Sequence, residues 1–226
     1  IRGDYRKLGE ARLGLSRRVG NVSSLIKDVP EKLKNDPGLI YERMRWRRKA
    51  KLPTAADFLY DPPDKIENVR NWWINSRIVV RRLLNKKKYL QAYNILNNHK
   101  LPLRTDSGRE AEWLAGWVAI HHLKKPTKSI EHFKKVYENT PNESMKAKAA
   151  YWISEANGVT NQKNEEVIWL KIASKNKFSF YGQNASIKLG NFKFKKETKI
   201  LLKPEKVDDL LEVIKIILKA GQEPEK

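Results

Sequence analysis

Cysteine is absent from this 226-residue chain, and methionine occurs only twice. The missing cysteine excludes disulfide staples, thiolate zinc sites and cysteine nucleophiles, and it leaves both reducing and oxidising compartments open. No stretch approaches the roughly 18 consecutive apolar residues that a membrane-spanning helix requires. Strict alternation of polar and apolar residues is scarce, which argues against half-buried strands. Acids are in short supply: 26 Asp and Glu face 47 Lys and Arg, a net charge of +21. Residues 1–100 hold 24 cations against 10 acids, and residues 101–226 hold 23 against 16, so the excess is concentrated in the first part. Such a balance attracts polyanions without selecting among nucleic acid, acidic cell-wall polymer and anionic lipid. The chain opens on "IRGDYRKLGEARLG", with neither Met nor an apolar leader, as expected of a segment internal to a longer protein or cut after a removed signal.

What is present is helical periodicity. Apolar residues recur three and four apart, and an apolar fraction of 40% can support a sizeable core. Breaks rich in Pro, Gly, Asn, Asp and Ser fall at "NDPG" (35–38), "LPTAAD" (52–57), "YDPPDK" (60–65), "LPLRTDSG" (101–108), "KKPT" (124–127), "NTPNES" (139–144) and "NGVTNQKN" (157–164). The segments between them have ordinary helix lengths.

These segments repeat. Tyr93, Ile130 and Val167 are 37 residues apart, as are Leu96, Phe133 and Leu170, and Val136 and Ala173 continue the register. A second series, Trp73, Trp113 and Trp152, is spaced by 40 and 39. The pattern predicts helix–turn–helix units in which helix A carries a fixed aromatic and helix B a small or β-branched stripe. One hairpin cannot bury its apolar face alone, so neighbours stack. The expected fold is therefore all-α: an α-solenoid of irregular, tetratricopeptide-like hairpins at about 38–60, 67–98, 108–139 and 143–175, with a last helix at 178–190. Residues 1–34 add one or two helices, making residues 1–190 one helical-repeat domain. Residues 191–226 form a linker, with the only plausible extended stretch at 191–203, and an amphipathic helix at 205–220 capped by Gly221.

"NDPGLIYERMRWRRKA" (35–50), "VRNWWINSRIVVRRLLNKKKYLQAYNIL" (69–96), "EAEWLAGWVAIHHLKKPTKSIEHFKKVYEN" (110–139), "KAAYWISEA" (148–156) and "FYGQNASIKLG" (180–190) occur in one order. In that order and wording the chain resembles the superhelical, non-catalytic region of bacterial soluble lytic murein transglycosylases, over roughly residues 30–190. The resemblance implies a curved helical superhelix in the periplasm. It also implies a lysozyme-like catalytic domain further along the parent chain. That domain would cleave the muramic acid–glucosamine bond of peptidoglycan and leave a 1,6-anhydro product, with a glutamate in a Glu-Ser-Gly-Phe-like motif. Neither that motif nor the Gly-Leu-Met-Gln-like motif that follows it occurs here. The nearest string, "NESMK" (142–146), reads as a helix start, with Asn142 as cap and Glu143 at the positive end of the dipole. The chain alone is expected to be inactive. Its implied partners are peptidoglycan glycan strands, the catalytic domain and proteins of the envelope.

The residues themselves name no catalytic centre. Glycoside cleavage needs carboxyls held against a sugar, at least one with a raised pKa, and the carboxylates here read as caps, loops and exposed faces. Adjacent His121 and His122 point about 100° apart on a helix and do not make a ligand pair, although His132 on the next helix can approach one of them. No metal, cofactor or Gly-rich phosphate loop is expected. What remains is a candidate polymer-binding set of Arg43, Arg45, Arg47, Arg48, Trp72, Arg77, Arg81 and Arg82. One reading is a solvated face whose stems cover apolar surface, or cations paired with acids on neighbouring helices. The other is a cationic track for glycan strands or their acidic peptides. Trp73, Trp113 and Trp152, with Ile74, Val80 and Leu84 beside the first, read as buried wedges. Trp72 and Trp117 fall off that register and are the candidates for exposure. A cytosolic peptide-binding solenoid is the competing function. Nucleic-acid binding ranks last, since no recognition motif supports it.

Overall fold

A computed structural model describes residues 3–191, 209 and 211–215. Residues 1–191 form one compact unit and residues 192–226 a second. Within the first unit lie eleven α-helices: α1 (Asp4–Arg17), α2 (Val22–Lys27), α3 (Pro37–Lys49), α4 (Asp57–Tyr60), α5 (Val69–Asn85), α6 (Tyr89–Asn97), α7 (Asp106–His121), α8 (Pro126–Asn139), α9 (Glu143–Val159), α10 (Lys163–Ser174) and α11 (Phe180–Lys188). No strand occurs among the described residues, so the all-α expectation holds. In the second unit residues 209 and 211–215 are helical, inside the expected 205–220 helix. The extended stretch expected at 191–203, and Gly221, lie outside the described residues, Asn191 excepted.

Three of the four expected hairpins are present, whereas in 38–60 the second helix is the four-residue α4, met by α3 through Arg43 and Arg47 over the Phe58 ring. Helices α7 and α8, α8 and α9, and α9 and α10 pack face to face, as do α5 and α6. The connections 86–88, 122–125 and 160–162 are too short for anything but an antiparallel turn. Alternate helices then run parallel. Trp73 and Arg77 of α5 meet Glu110 of α7, and Arg82 of α5 reaches the carbonyl of Arg48 at the end of α3. Tyr151 of α9 meets Tyr181 of α11.

Capping fixes this register. The odd-numbered helices from α3 to α11 each begin with a side-chain cap: Asp36, Asn68, Thr105, Asn142 and Ser179 accept the backbone N–H of Leu39, Asn71, Gly108, Met145 and Gly182. The last four caps are spaced by 37 residues, the core period. Helices α6, α8 and α10 have no such cap, so packing, rather than local hydrogen bonding, must hold their starts. Gly182 follows its cap because a Cβ there would lie 1.9 Å from the carbonyl oxygen of Asn176; only glycine lets that preceding turn close.

The repeat positions are the core. Leu96, Phe133 and Leu170 are buried, as are Val136 and Ala173. Tyr93 begins the other series buried, but Val167 is exposed, because α10 has only α9 and α11 beside it. Of the wedge series, Trp73 is 4% exposed. Trp113 and Trp152 are half-buried, each with its indole N–H buried and unpaired. Trp152 lies 5.2 Å from the His121 ring and 6.2 Å from Phe133. Val80 is buried and Leu84 half-buried as expected, but Ile74 is exposed on the far side of α5 from this core.

Candidate functional site

Side-chain contacts link α5 to α7, α7 to α9 and α9 to α11. On α5 the exposed or half-exposed stripe is Arg70, Ile74, Arg77 and Arg81, spaced four, three and four, one side of a helix. Arg77 pairs at 3.0 Å with Glu110 of α7, which also accepts the Trp73 indole N–H at 2.6 Å. One helix further, the Lys148 ammonium sits 3.5 Å above the Trp113 ring centroid. Beyond that, Lys188 of α11 pairs with Glu155 of α9 and lies 5.4 Å from the Tyr151 ring. These contacts form a ladder of cation–acid and cation–aromatic pairs, each crossing from one helix to the next.

Two clefts run along the starts of these helices. One, of about 460 Å³, lies between α5 and α7 and is lined by Arg70, Trp73, Ile74, Arg77 and Glu110. The other, of about 560 Å³, lies between α7, α9 and α11 and is lined by Arg109, Asn142, Lys148 and Tyr181. Asp106 borders both clefts. Burial drives the Lys148 pKa down, only partly countered by Glu110. Burial acts the same way on Lys188, but there the Glu155 hydrogen bond and charge outweigh it and the pKa rises. Ring faces beside half-desolvated cations suit a ligand with apolar sugar-like faces and carboxylates. The resolved carboxyl shifts, at Asp4, Asp64 and Glu112, are all downward.

The residues singled out from sequence do not assemble as one track. Trp72 is 3% exposed, packed under α5 against Tyr41 at 6.2 Å between ring centroids, so its expected exposure is wrong. The register argument failed because α5 buries two adjacent positions, facing α3 and α7 at once. Arg43 and Arg47 fold back over the Phe58 ring, at 5.1 and 5.2 Å, and burial lowers the Arg43 pKa. Arg45 pairs with Glu42 at 3.1 Å. Arg48 is half-buried with its Nε unpaired, and Arg82 donates to its carbonyl at 2.8 Å. Of the eight, Arg77 and Arg81 lie on the α5 stripe described above. Trp117 is half-buried, between His121 and His122, at 4.9 and 5.1 Å. Sequence reasoning missed Glu110, Lys148, Tyr151, Glu155 and Lys188. Their signal was the spacing of Lys148, Tyr151 and Glu155 along one side of α9, and the 37 residues from Trp73 to Glu110.

One carboxylate expected on an exposed face is buried. Glu112 is 4% exposed and accepts from His132 Nδ1 at 2.5 Å, His99 Nε2 at 3.2 Å and Lys135 Nζ at 3.0 Å. His99 Nδ1 accepts the Leu101 N–H at 2.8 Å, which places the ring proton on Nε2. Tyr93 Oη lies 3.1 Å from His132 Nε2 and donates to it when that ring is neutral. Burial pushes the Glu112 carboxyl up, but the hydrogen bonds from His132 and His99 and the charge nearby outweigh it and hold its pKa far below the usual range. His132 therefore faces Glu112 and Tyr93 rather than His121 or His122. His122 instead stacks on Tyr89, 4.0 Å between centroids. The network ties α6, α7 and α8 together.

Comparison of the chain with protein-family models, with curated proteins and with solved structures finds no match. No helix among the described residues is long and apolar enough to cross a membrane.

Proposed function

We propose that this chain is the superhelical, non-catalytic region of a lytic murein transglycosylase, and that the face of α5, α7, α9 and α11 holds peptidoglycan glycan strands. The parallel alternate helices and their sequential packing are read as a tetratricopeptide-like solenoid, with that face as its polymer-bearing side. The carrying observation is the pair of clefts at the helix starts that share Asp106, one lined by Arg77 and the other by Lys148 and Tyr181. They are bordered by aromatic rings and by Arg77 and Arg109, each already paired with an acid. Such cations can exchange a protein carboxylate for one on a murein stem peptide without leaving a buried charge alone. The resemblance of residues 30–190 to that family supplies the polymer's identity, the periplasmic location, and the catalytic domain and envelope proteins as partners.

The test is co-sedimentation with purified insoluble murein. The chain should pellet with it and should leave its turbidity unchanged. Arg77→Ala combined with Tyr151→Ala should weaken retention by about tenfold or more, as for loss of a contact-centre pair. Retention that ignores both substitutions, or no retention of the unaltered chain, contradicts the proposal.

A further inference from the structure

A second surface lies at the opposite ends of the same helices. Because alternate helices are parallel, the turns after α3, α5, α7 and α9 share one edge of the unit. Two contacts tie neighbouring turns: Lys51 and Leu52 line one pocket of about 290 Å³ with Arg82, Lys86 and Lys88, and Tyr89 stacks on His122 at 4.0 Å. This edge is rich in cations over its first three turns. Residues 46–56, 84–91 and 118–130 contain no Asp or Glu; Asp57 is the acid on the pocket's border, and Glu165 and Glu166 follow the fourth turn at the start of α10. The opposite edge is mixed, with Asp36, Asp61, Asp64, Glu67 and Asp106 in its turns and helix starts.

Cations at helix C-termini are favoured by the dipole, which accounts for about one at each end. Three observations exceed that. The α5–α6 turn is Lys86, Lys87, Lys88 in succession, where self-repulsion opposes folding. Lys51, Lys87 and Lys124 hold φ of 60°, 58° and 55°, a left-handed conformation that Arg18, Lys100 and Asn161 share and for which glycine is the unstrained choice. The strained position is filled by lysine at the first three turns of this edge and by Asn161 at the fourth. Finally, apolar side chains project between these cations: Leu52, Leu90 and Val159 are 40%, 55% and 67% exposed.

We propose that this edge docks the protein on an anionic lipid bilayer. The lysines would sit among phosphate headgroups, with one headgroup in the pocket bounded by Lys51, Lys86 and Lys88. Leu52, Leu90 and Val159 would enter the acyl boundary. The projecting apolar residues favour a bilayer over nucleic acid, against whose hydrated backbone they would have no partner. Among the described residues, Tyr60 is the one aromatic lining this pocket, which is not an array on which bases can stack. The inference is independent of the glycan clefts, which lie on another surface.

The experiment is sedimentation of the whole chain with vesicles of phosphatidylcholine alone and with about 30 mol% phosphatidylglycerol. Binding should require the anionic lipid and be released near 1 M salt, where the screening length is about 3 Å. Each of Lys86→Gln, Lys88→Gln, Lys124→Gln and Lys125→Gln should weaken partitioning about fivefold. Leu90→Ser should weaken it at unchanged charge, and all variants should keep the wild-type melting temperature within about 2 °C. Equal binding to both vesicle types, or undiminished binding when all four lysine substitutions are combined, overturns the proposal. So does binding insensitive to Leu90→Ser and abolished by competing duplex DNA.

Discussion

Glu112 sets the sharpest test of how the unit is held together. It is 4% exposed and accepts three hydrogen bonds from two histidines and a lysine. In Glu112→Gln the amide oxygen can still take the His99 N–H. The amide nitrogen, now a donor, faces His132 Nδ1, which must give up its proton to Nε2, opposite Tyr93. His99 has no such freedom, because its Nδ1 is held by Leu101. The variant thus loses the charge and much of its charge-assisted bonding, about 2–3 kcal/mol. Glu112→Ala leaves two buried ring N–H groups facing a void and costs about 3–5 kcal/mol. For a unit of this size each kcal/mol moves Tm by about 2–4 °C, so the Gln variant should melt about 4–12 °C lower. The sign with pH is fixed as well. The folded carboxyl titrates far below its unfolded value of about 4.3, so its contribution is complete above that value and is lost as pH falls toward the folded pKa. Wild-type stability should therefore drop more steeply below about pH 4.5 than that of the Gln variant. Urea unfolding followed by tryptophan fluorescence measures both. Losses under about 0.5 kcal/mol in both variants would refute the reasoning.

Other outcomes follow from the caps, turns and core. Asn142→Ala should cost about 1 kcal/mol through loss of the bond to the Met145 N–H, read by urea midpoint. Gly182→Ala should cost about 2 kcal/mol or more, since its Cβ would meet the Asn176 carbonyl, and hydrogen exchange should rise first in α11. Lys87→Gly should stabilise by about 0.5–1 kcal/mol, because φ is 58° there. Phe133→Ala should cost about 3–5 kcal/mol, since the ring is wholly buried at the repeat position.

Most of the fold was legible because one period governs two independent signals. Buried Leu96, Phe133 and Leu170 and the caps Thr105, Asn142 and Ser179 share the 37-residue spacing. The helices thus start and pack in the same register. The site was less legible, since a binding face is defined by which side of a helix lies outward. Trp72 and Trp73 are adjacent, and burial of both follows from α5 touching α3 and α7, which one helix's pattern cannot reveal. Glu112 was misplaced for a related reason. Its partners are 13, 20 and 23 residues away, on a loop and on the next helix. Arginine counts misled too: Arg43, Arg45 and Arg47 are engaged by Phe58 and Glu42, leaving Arg77 and Arg81 as the members of that set on the outward stripe of α5.

The proposal that this face holds glycan is tested most directly by amide hydrogen exchange with and without soluble, peptide-bearing glycan strands. Slowed exchange should concentrate in the turns and first helical turns bordering the clefts, at residues 105–110, 140–148 and 179–182, and should vanish in Arg77→Ala, Tyr151→Ala. Protection confined to other surfaces, or none at saturating strand concentration, would contradict the proposed role.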